Sequence, residues 1–409
     1  MTETLLWFAA ASAYTPRRGI VRADGKAVVD DDGPFHPLGI TFFWALYGEK
    51  FERDRLLANL DFIARYKFDY IRILAEVGWP GEEIDPNWPD YEQLLGQLID
   101  DAYARGLRVE ITVLGGGGHD PMGVATKVVR VVNSGRQHKI IAIECSNEGL
   151  GAKLATLEQM ARYFRATTPN LIALTSIGYL DGVQEASVLA GATLMTAHID
   201  RNSAEHGWRQ VRQGWDFKDY PGVVDSNEPP GPNSSVATNN SPLELAMMRA
   251  TGVLAGGAMY VLHVGDMVTG REDPARNRRP NIWQVEGIDA ICRTVRGVDQ
   301  WLPARIENWE KFNNFWNGHP LTTDAFWGDG AVDHGVNRNY AAIDGDRFVM
   351  VVNGVLREVT FTARQACHVE AASPVTGIVI STNLAAGQTW TLPGRDDTMA
   401  GFLVTGQFR

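Results

Sequence analysis

The feature of this sequence that most restricts its fold is an alternation of short apolar runs with longer amphipathic segments, repeated eight times. Each run is six to eight residues long and nearly continuous in apolar residues, which is typical of strands buried on both faces. The runs are HPLGITFF (36–43), FDYIRIL (68–74), RVEITV (108–113), IIAIEC (140–145), LIALTSI (171–177), TLMTAHI (193–199), PGVVDS (221–226) and AMYVLHV (258–264).

The segments between these runs have helical periodicity. In the segment 51–66, leucine and isoleucine recur at spacings of four and three. The segment 241–257 begins with Ser241, a proline and Glu244, which is a capping-box spacing. The predicted helices are 51–66, 91–106, 154–169, 241–257 and 281–302.

Eight strand–helix units predict an α/β fold, a (β/α)8 TIM barrel, because such barrels need about 250 residues. A doubly wound open sheet is the alternative, but no GxGxxG follows the first run. The stretch GGGGH (115–119) is predicted to be a flexible loop rather than a phosphate site. Two turn signals within 20–38 predict a short hairpin that closes one end of the barrel.

The sequence changes character after about residue 318. Short alternating runs with Gly, Pro and Asn between them replace the helical pattern, which predicts a small C-terminal antiparallel β-sandwich domain. We therefore expect a barrel with its N-terminal hairpin in residues 1–318 and an accessory β-sandwich in residues 319–409.

Charge and targeting signals exclude several partners. The net charge of −11 argues against a nucleic-acid or anionic-membrane partner, because binding phosphate requires a basic surface. No apolar stretch is long enough for a membrane span. The N-terminus has an apolar segment ending in Ala-Ser-Ala, but it carries Glu3 and no Lys or Arg before that segment. Cytoplasmic and exported locations both stay open.

Two strand ends carry the same tripeptide. Ser146-Asn147-Glu148 follows the fourth run, and Ser226-Asn227-Glu228 ends the seventh. These strands lie on roughly opposite sides of a barrel, so the two glutamates should face each other across its mouth. Paired carboxylates, one protonated and one ionised, are what cleavage of a glycosidic bond requires. Asp225 is a rival nucleophile, although it lies earlier on its strand.

This pattern resembles the retaining glycoside hydrolases of clan A, the cellulase-like (β/α)8 superfamily. The resemblance implies that Glu148 is the acid/base, that Glu228 is the nucleophile, and that Asn147 contacts the sugar 2-hydroxyl. It also implies that Arg72 in YIRIL supports the nucleophile and that His198 in TAHID lines the site.

The sequence departs from the clan in three places. The common Asn-Glu-Pro is Asn-Glu-Gly here, Asp200 stands where many members have a tyrosine, and the frequent strand-eight tryptophan is missing beside His263. The sugar and the subfamily therefore stay open. A retaining mechanism predicts carboxyl groups about 5–5.5 Å apart, against roughly 6.5–9.5 Å for inverting enzymes.

Further residues near strand ends are expected to contact a carbohydrate substrate: Trp44, His119, Asp200, His263 and Trp283. Neither a cofactor nor a metal is expected, and no HExxH motif is present. A serine nucleophile is not expected either, because the sequence has no GxSxG motif. Two alternatives remain: a non-catalytic carbohydrate-binding barrel, and a barrel enzyme of different chemistry, such as a lyase or a metal-assisted hydrolase.

Overall fold

The structure is a computed structural model, and it describes residues 15–149, 152–176, 183–198, 213–234, 238–313, 321–323, 339–355, 358–394 and 400–409. The first element in these ranges is a three-stranded antiparallel sheet. Its strands are β1 (Arg22–Asp24), β2 (Ala27–Asp30) and β3 (Gly33–Phe35). Val21 and Val28 pack against Tyr70 and Ile141, which lie at or near the amino ends of two later strands. The sheet therefore covers that end of the barrel, as the turn signals predicted.

Eight parallel strands form the central sheet: β4 (Leu38–Thr41), β5 (Tyr70–Leu74), β6 (Arg108–Leu114), β7 (Ile140–Ser146), β8 (Leu171–Thr175), β9 (Leu194–Ala197), β10 (Val223–Ser226) and β11 (Met259–Leu262). Their order is β8-β7-β6-β5-β4-β11-β10-β9. The amide of Thr193, just before β9, donates to the carbonyl oxygen of Ile172 on β8 over 2.9 Å, which nearly closes the ring. The predicted (β/α)8 barrel is confirmed, and each strand matches its predicted run, with β6 and β7 each extending one residue further.

The helices surround this sheet: α1 (Ala45–Phe51), α2 (Arg53–Arg65), α3 (Tyr91–Ala104), α4 (Pro121–Asn133), α5 (Leu154–Thr167), α6 (Val183–Leu189), α7 (Pro242–Ala255), α8 (Asp266–Thr269) and α9 (Ile288–Gly297). Short 3-10 turns occupy Gln137–Lys139, Gln213–Phe217, Pro274–Arg276, Ile282–Gln284 and Val298–Trp301. Two predicted helices are shorter than expected. The first breaks at Glu52, and the last begins only after Gly287, whose φ of 71° is left-handed.

The sequence analysis did not predict α4. Asp120 caps its first turn by accepting a hydrogen bond from the amide of Gly123 over 2.9 Å. Valine is a poor helix former in isolation, so the valine-rich sequence did not indicate a helix. Burial of one face against the barrel overrides that propensity, since its valines at 124, 128 and 132 are enclosed.

Two antiparallel sheets form the C-terminal region. The larger contains β12 (Glu310–Asn313), β14 (Asn339–Asp344), β15 (Arg347–Val355), β17 (Cys367–Ser373), β18 (Gly377–Leu384) and β20 (Ala400–Phe408). The smaller contains β13 (Leu321–Thr323), β16 (Glu358–Ala363) and β19 (Thr389–Pro393). Phe361 and Trp390 of the smaller sheet share a core with Phe348 and Val404 of the larger. The predicted β-sandwich is confirmed.

The larger sheet also packs against the barrel. Tyr340, Val351 and Leu403 belong to the same hydrophobic core as the barrel helices, and the rings of Trp215 and Tyr340 are 4.6 Å apart. Strand β12 precedes the predicted boundary at residue 318, yet it pairs with β14. The exact division into 1–318 and 319–409 stays a prediction.

We expect Ser241→Ala to lower the free energy of unfolding by about 1 kcal/mol, because the Ser241 hydroxyl accepts a hydrogen bond from the amide of Glu244 at the start of α7. Chemical denaturation would measure the loss. Ser381→Ala, at an exposed position on β18, is the matched control. Equal stabilities for the two variants would contradict the cap.

Candidate active site

The carboxyl ends of the barrel strands bring five predicted site residues together. Parallel strands all present these ends at one mouth of the barrel. Arg72 comes from β5, Asn147 and Glu148 follow β7, His198 follows β9, and Glu228 follows β10. These are distant in sequence, and only the barrel topology makes them neighbours.

Arg72 is the centre of this group. It is fully buried, and its Nη1 donates to Oε1 of Glu228 over 2.7 Å. Its Nη2 donates to Oε2 of Glu144 over 2.7 Å and to Oδ1 of Asn147 over 2.9 Å. Burial acts to lower the pKa of Arg72, but the negative charges of Glu144 and Glu228 outweigh it and raise that pKa. The guanidinium thus fixes the orientation of Glu228 and Asn147.

His198 lies between the two predicted catalytic glutamates. Its Nδ1 shares a hydrogen bond of 2.9 Å with Oε1 of Glu148, and its Nε2 is 3.8 Å from Oε1 of Glu228. A carboxylate oxygen of Glu148, one of Glu228 and a ring nitrogen of His198 all lie within 4.8 Å of one another. Such a group can exchange protons with a bound molecule, and its atoms are also of a type that ligates a metal ion.

Glu148 has an unusual backbone. Its φ is 50°, in the left-handed region that costs a side-chain-bearing residue roughly 1–2 kcal/mol. Gly149 follows with a φ of 70°, and its amide donates to Oγ1 of Thr175 over 2.7 Å. That hydroxyl in turn donates to the carbonyl oxygen of Ser146 over 2.7 Å. The glycine is therefore needed for the turn, and the turn presents Glu148 to His198.

Glu144 is a residue that the sequence analysis missed. It lies in the middle of β7 and is fully buried. Its two oxygens accept hydrogen bonds from five side chains: Arg72, Thr112, Ser176, Thr196 and Asn227. The sequence does contain one indication of its role, because Glu144 is a carboxylate within the otherwise apolar run IIAIEC. A carboxylate buried in a strand is stable only when it has a partner.

A second pair of carboxyl groups lies deeper in the barrel. Asp225 accepts a hydrogen bond from the Tyr70 hydroxyl over 3.1 Å, and both residues are fully buried. Burial raises the pKa of Asp225 to about 7. Burial and the nearby charge of Asp225 raise the pKa of Glu110 well above its usual range. Asp225 thus faces the barrel interior, beneath the group around Glu228.

His119 and the glycine-rich stretch form one unit with Glu76. The buried Glu76 carboxylate accepts from the amides of Gly115 and Gly116 over 3.2 Å each, and His119 Nδ1 lies 3.2 Å from its Oε2. A Cβ at Gly117 would come within 1.9 Å of the same oxygen. The prediction of a merely flexible loop is wrong, because the glycines allow the chain to wrap around a buried charge.

The remaining predicted residues have different surroundings. Trp44 is only 1% exposed, and the Arg55 guanidinium covers its ring at 3.9 Å, so the expectation that it contacts sugar is wrong. Trp283 is 43% exposed and packs near Phe62 in the last turn of α2, on the side away from the mouth. It does not join the site.

Two further predicted residues follow β9 and β11 in the sequence. His263 is buried after β11, and its Nδ1 shares a hydrogen bond of 2.9 Å with Oγ1 of Thr41. Its ring lies 6.3 Å from Phe43, whose ring lies 5.0 Å from the Arg72 guanidinium. His263 is therefore close to the group around Arg72. Asp200 lies outside the described residues.

Comparison with known proteins gives likeness of fold without likeness of sequence. No protein-family model and no curated protein sequence matches the chain. A glycoside hydrolase family 5 structure from Bacteroides vulgatus ATCC 8482 is 12% identical with a TM-score of 0.67, over 96% of this chain and 95% of that chain. A structure named glycoside hydrolase is 10% identical with a TM-score of 0.56, over 95% and 96%.

A third structure matches a smaller part of the chain. It is the exo-beta-1,4-mannosidase Op5Man5 from Opitutaceae bacterium strain TAV5, which is 17% identical with a TM-score of 0.50, over 67% of this chain and 62% of that chain. At these identities, the three matches establish a shared fold. Separately, no helix among the described residues is long and apolar enough to cross a membrane.

We expect Asp225→Asn to stabilise the protein at pH 8 but not at pH 5. The folded-state pKa of about 7 lies above the unfolded value of about 4, so the folded protein binds more protons between these pH values. The free energy of unfolding therefore falls as the pH rises from about 4 to about 7. The asparagine keeps an acceptor for Tyr70 and carries no charge.

Thermal midpoints of wild type and variant at both pH values would measure this effect. Asp54→Asn, at an exposed position, is the control and should show no such gain. A difference between Asp225→Asn and wild type that does not change with pH would exclude a buried, proton-binding Asp225.

Proposed function

We propose that the protein is a retaining glycoside hydrolase, with Glu148 as the acid/base and Glu228 as the nucleophile. The observation that carries the proposal is the pair of carboxylates at the barrel mouth, with oxygens no more than 4.8 Å apart, held by Arg72 and His198. The proposal assigns the chemistry to the barrel, residues 1–318, and a supporting role to residues 319–409.

In the first step, Glu228 attacks the anomeric carbon of a bound sugar and the glycosidic bond breaks. Arg72, at 2.7 Å, favours the ionised form that can attack. Glu148 gives its proton to the leaving oxygen, so a neutral alcohol departs. The product of this step is a glycosyl ester of Glu228.

In the second step, Glu148 is ionised and accepts a proton from water, whose oxygen attacks the anomeric carbon. The ester bond breaks and Glu228 regains its charge, with the anomeric configuration retained overall. One oxygen of Glu148 and one of Glu228 lie within 4.8 Å of each other, and this closeness supports the retaining route, whose carboxyl groups are about 5–5.5 Å apart, over the inverting one, where they are roughly 6.5–9.5 Å apart.

Asn147 fits a role in substrate binding. Its Oδ1 accepts from Arg72, which sets the amide plane and leaves the two N–H groups as the donors that can meet a sugar hydroxyl. The structural neighbours support the class of substrate, because those reported above are named as glycoside hydrolases or as an exo-mannosidase. The sugar and linkage are not part of the proposal.

A metal-assisted hydrolase is the second candidate. The observation that favours it is the cluster of Glu148, His198 and Glu228, which offers three ligand atoms within 4.8 Å of one another. Carboxylate oxygens and imidazole nitrogens are both among the ligand atoms that bind zinc in proteins. Under the two-carboxylate proposal, activity survives dialysis against a chelator, whereas a metal-dependent enzyme loses it and regains it with the metal.

We expect Glu228→Gln to reduce turnover by at least ~1,000-fold, because the amide cannot form the glycosyl ester. The assay is release of reducing ends from a panel of polysaccharides and of phenol from aryl glycosides. Glu286→Gln, at an exposed position, is the matched control and should keep wild-type activity. Turnover at the wild-type rate in Glu228→Gln would exclude Glu228 as the nucleophile. Binding of a glycan by wild type without turnover would favour a non-catalytic carbohydrate-binding barrel.

Glu148→Gln should show a dependence on the leaving group that Glu228→Gln does not. A dinitrophenolate leaves without a proton, so the first step on dinitrophenyl glycosides should survive while natural linkages are cut ~100-fold or more slowly. An early burst of dinitrophenol followed by slow turnover would reveal the trapped ester. Equal losses on both kinds of substrate would argue against Glu148 as the acid.

A further inference from the structure

One buried arginine has no carboxylate partner among the residues that the structure describes. Four arginines are buried among the described residues, and three of them form ion pairs: Arg72 with Glu228, Arg108 with Asp30, and Arg249 with Asp299. Arg278 is 3% exposed, yet no carboxylate of the described residues lies within 4.0 Å of its nitrogens. Its Nη2 has no hydrogen-bond partner. An enclosed and unpaired cation is unfavourable, so it calls for a partner from outside the chain.

Arg278 lies at the mouth of the barrel. It belongs to the loop after β11, and its Nε donates to the carbonyl oxygen of Asn233 over 3.4 Å. Asn233 follows Glu228 by five residues in the loop after β10. The Asn233 side-chain amide also donates to the carbonyl oxygen of Asn277 over 3.1 Å, which joins the two loops. Arg278 therefore lies where the loop that follows Glu228 meets the loop after β11.

A second buried polar group beside Asn233 also has no partner. The hydroxyl of Ser234 is enclosed and makes no hydrogen bond, and Ser234 is 7% exposed. Arg278 contacts Asn233 and Ser234 is the next residue in the chain, and a guanidinium and a hydroxyl are donors of the kind that bind an oxyanion. Buried donors are paired in most proteins, so two unpaired ones on the same junction indicate a group that the chain itself does not supply.

The nearest acidic side chains already have other partners. Asp266 accepts from the Asn233 amide over 2.9 Å and from the backbone amide of Arg279. Asp273 accepts from the backbone amide of Ala275 over 3.1 Å. Neither approaches Arg278 to ion-pair distance, and burial lowers the pKa of Arg278 below its usual value. The local acids thus attract this cation only from a distance.

The loop that carries Arg278 is basic in an acidic protein. Residues 270–281 contain four arginines and two acidic residues, whereas the whole chain has a net charge of −11. Arg271, Arg276 and Arg279 are exposed or partly exposed around Arg278. Each of these three arginines is ion-paired, Arg271 with Glu82, Arg276 with Asp273 and Arg279 with Glu272, so Arg278 is the arginine of this loop that has no carboxylate partner among the described residues.

We propose that Arg278, with Ser234, binds an anionic substituent of the carbohydrate substrate, a carboxylate or a sulfate. This inference rests on the proposed function for the identity of the carbohydrate, but the anion site itself does not require turnover. Guanidinium pairs with both groups through two parallel hydrogen bonds, which a neutral sugar cannot offer. The substrate class is thus an acidic glycan, with a uronic acid or a sulfated sugar next to the cleaved bond.

The test measures binding of small anions first. Sulfate and glucuronate would be titrated into wild type, Arg278→Gln, Arg278→Lys and Arg276→Gln, with chloride and glucose at matched ionic strength as references. We expect sulfate or glucuronate to raise the thermal midpoint of wild type and of Arg276→Gln. We expect affinity to fall ~10-fold or more in Arg278→Gln and to recover in part in Arg278→Lys.

The stability of the variants separates binding from structure. Because Arg278 has no carboxylate partner to lose, Arg278→Gln without ligand should be as stable as wild type or more so. A lowered thermal midpoint with an unchanged anion response would overturn the proposal in favour of a structural role. The absence of any response to either anion in wild type would also overturn it. Response to sulfate alone or to glucuronate alone would identify the substituent.

A second experiment links the site to catalysis. Oligosaccharides of a polyuronate, a sulfated galactan and their neutral counterparts would be offered to wild type and Arg278→Gln. We expect KM for the acidic substrate to rise ~10-fold or more in the variant, with kcat little changed. Turnover of neutral glycans with no preference for acidic ones would overturn this inference alone. Arg278-dependent binding without any turnover would overturn the proposed hydrolase alone.

Discussion

The buried contacts of Arg72 are the interaction on which the rest of the site depends. A guanidinium enclosed in the barrel is stable only if carboxylates surround it, and Glu144 and Glu228 supply them at 2.7 Å. Glu144 also accepts hydrogen bonds from four more side chains, those of Thr112, Ser176, Thr196 and Asn227. Removing one partner would leave the others charged and unpaired, so this group of charges is maintained as a whole. The contacts among Arg72, Glu144 and Glu228 therefore stabilise the barrel interior and also hold the proposed nucleophile in place.

The two predicted catalytic glutamates differ in how the chain holds them. Glu228 is 4% exposed, and the guanidinium of Arg72 on β5 fixes its orientation. Glu148 is more accessible, adopts a left-handed backbone and is held by His198. An ionised group beside a fixed cation and a more exposed group beside an imidazole are suited to different tasks, attack and proton exchange. The asymmetry therefore fits the roles that the proposal assigns.

The sequence predicted the strands well because their burial on both faces gives a strong apolar signal. It also predicted which residues follow them, so the meeting of Glu148 and Glu228 could be anticipated. It could not reveal Glu144 as the partner of Arg72, since a single carboxylate in an apolar run does not say what it faces. The sequence also could not show which side chains are exposed. Trp44 follows a strand, where binding residues are expected, but the Arg55 guanidinium covers its ring. Helix α4 was missed because its stability comes from tertiary burial rather than propensity.

The attachment of the β-sandwich has a consequence for how the protein can be divided. The larger sheet uses one face for the sandwich core and contributes Tyr340, Val351 and Leu403 to the barrel core on the other. Separating the two parts would expose the barrel-facing side of that sheet and the barrel surface it covers to water, at a cost of about 25 cal/mol for each Å² of apolar surface. The sandwich therefore could not be transferred to a different barrel without losing this packing. Barrel and sandwich constrain each other's surface residues, and they would have to vary together during evolution.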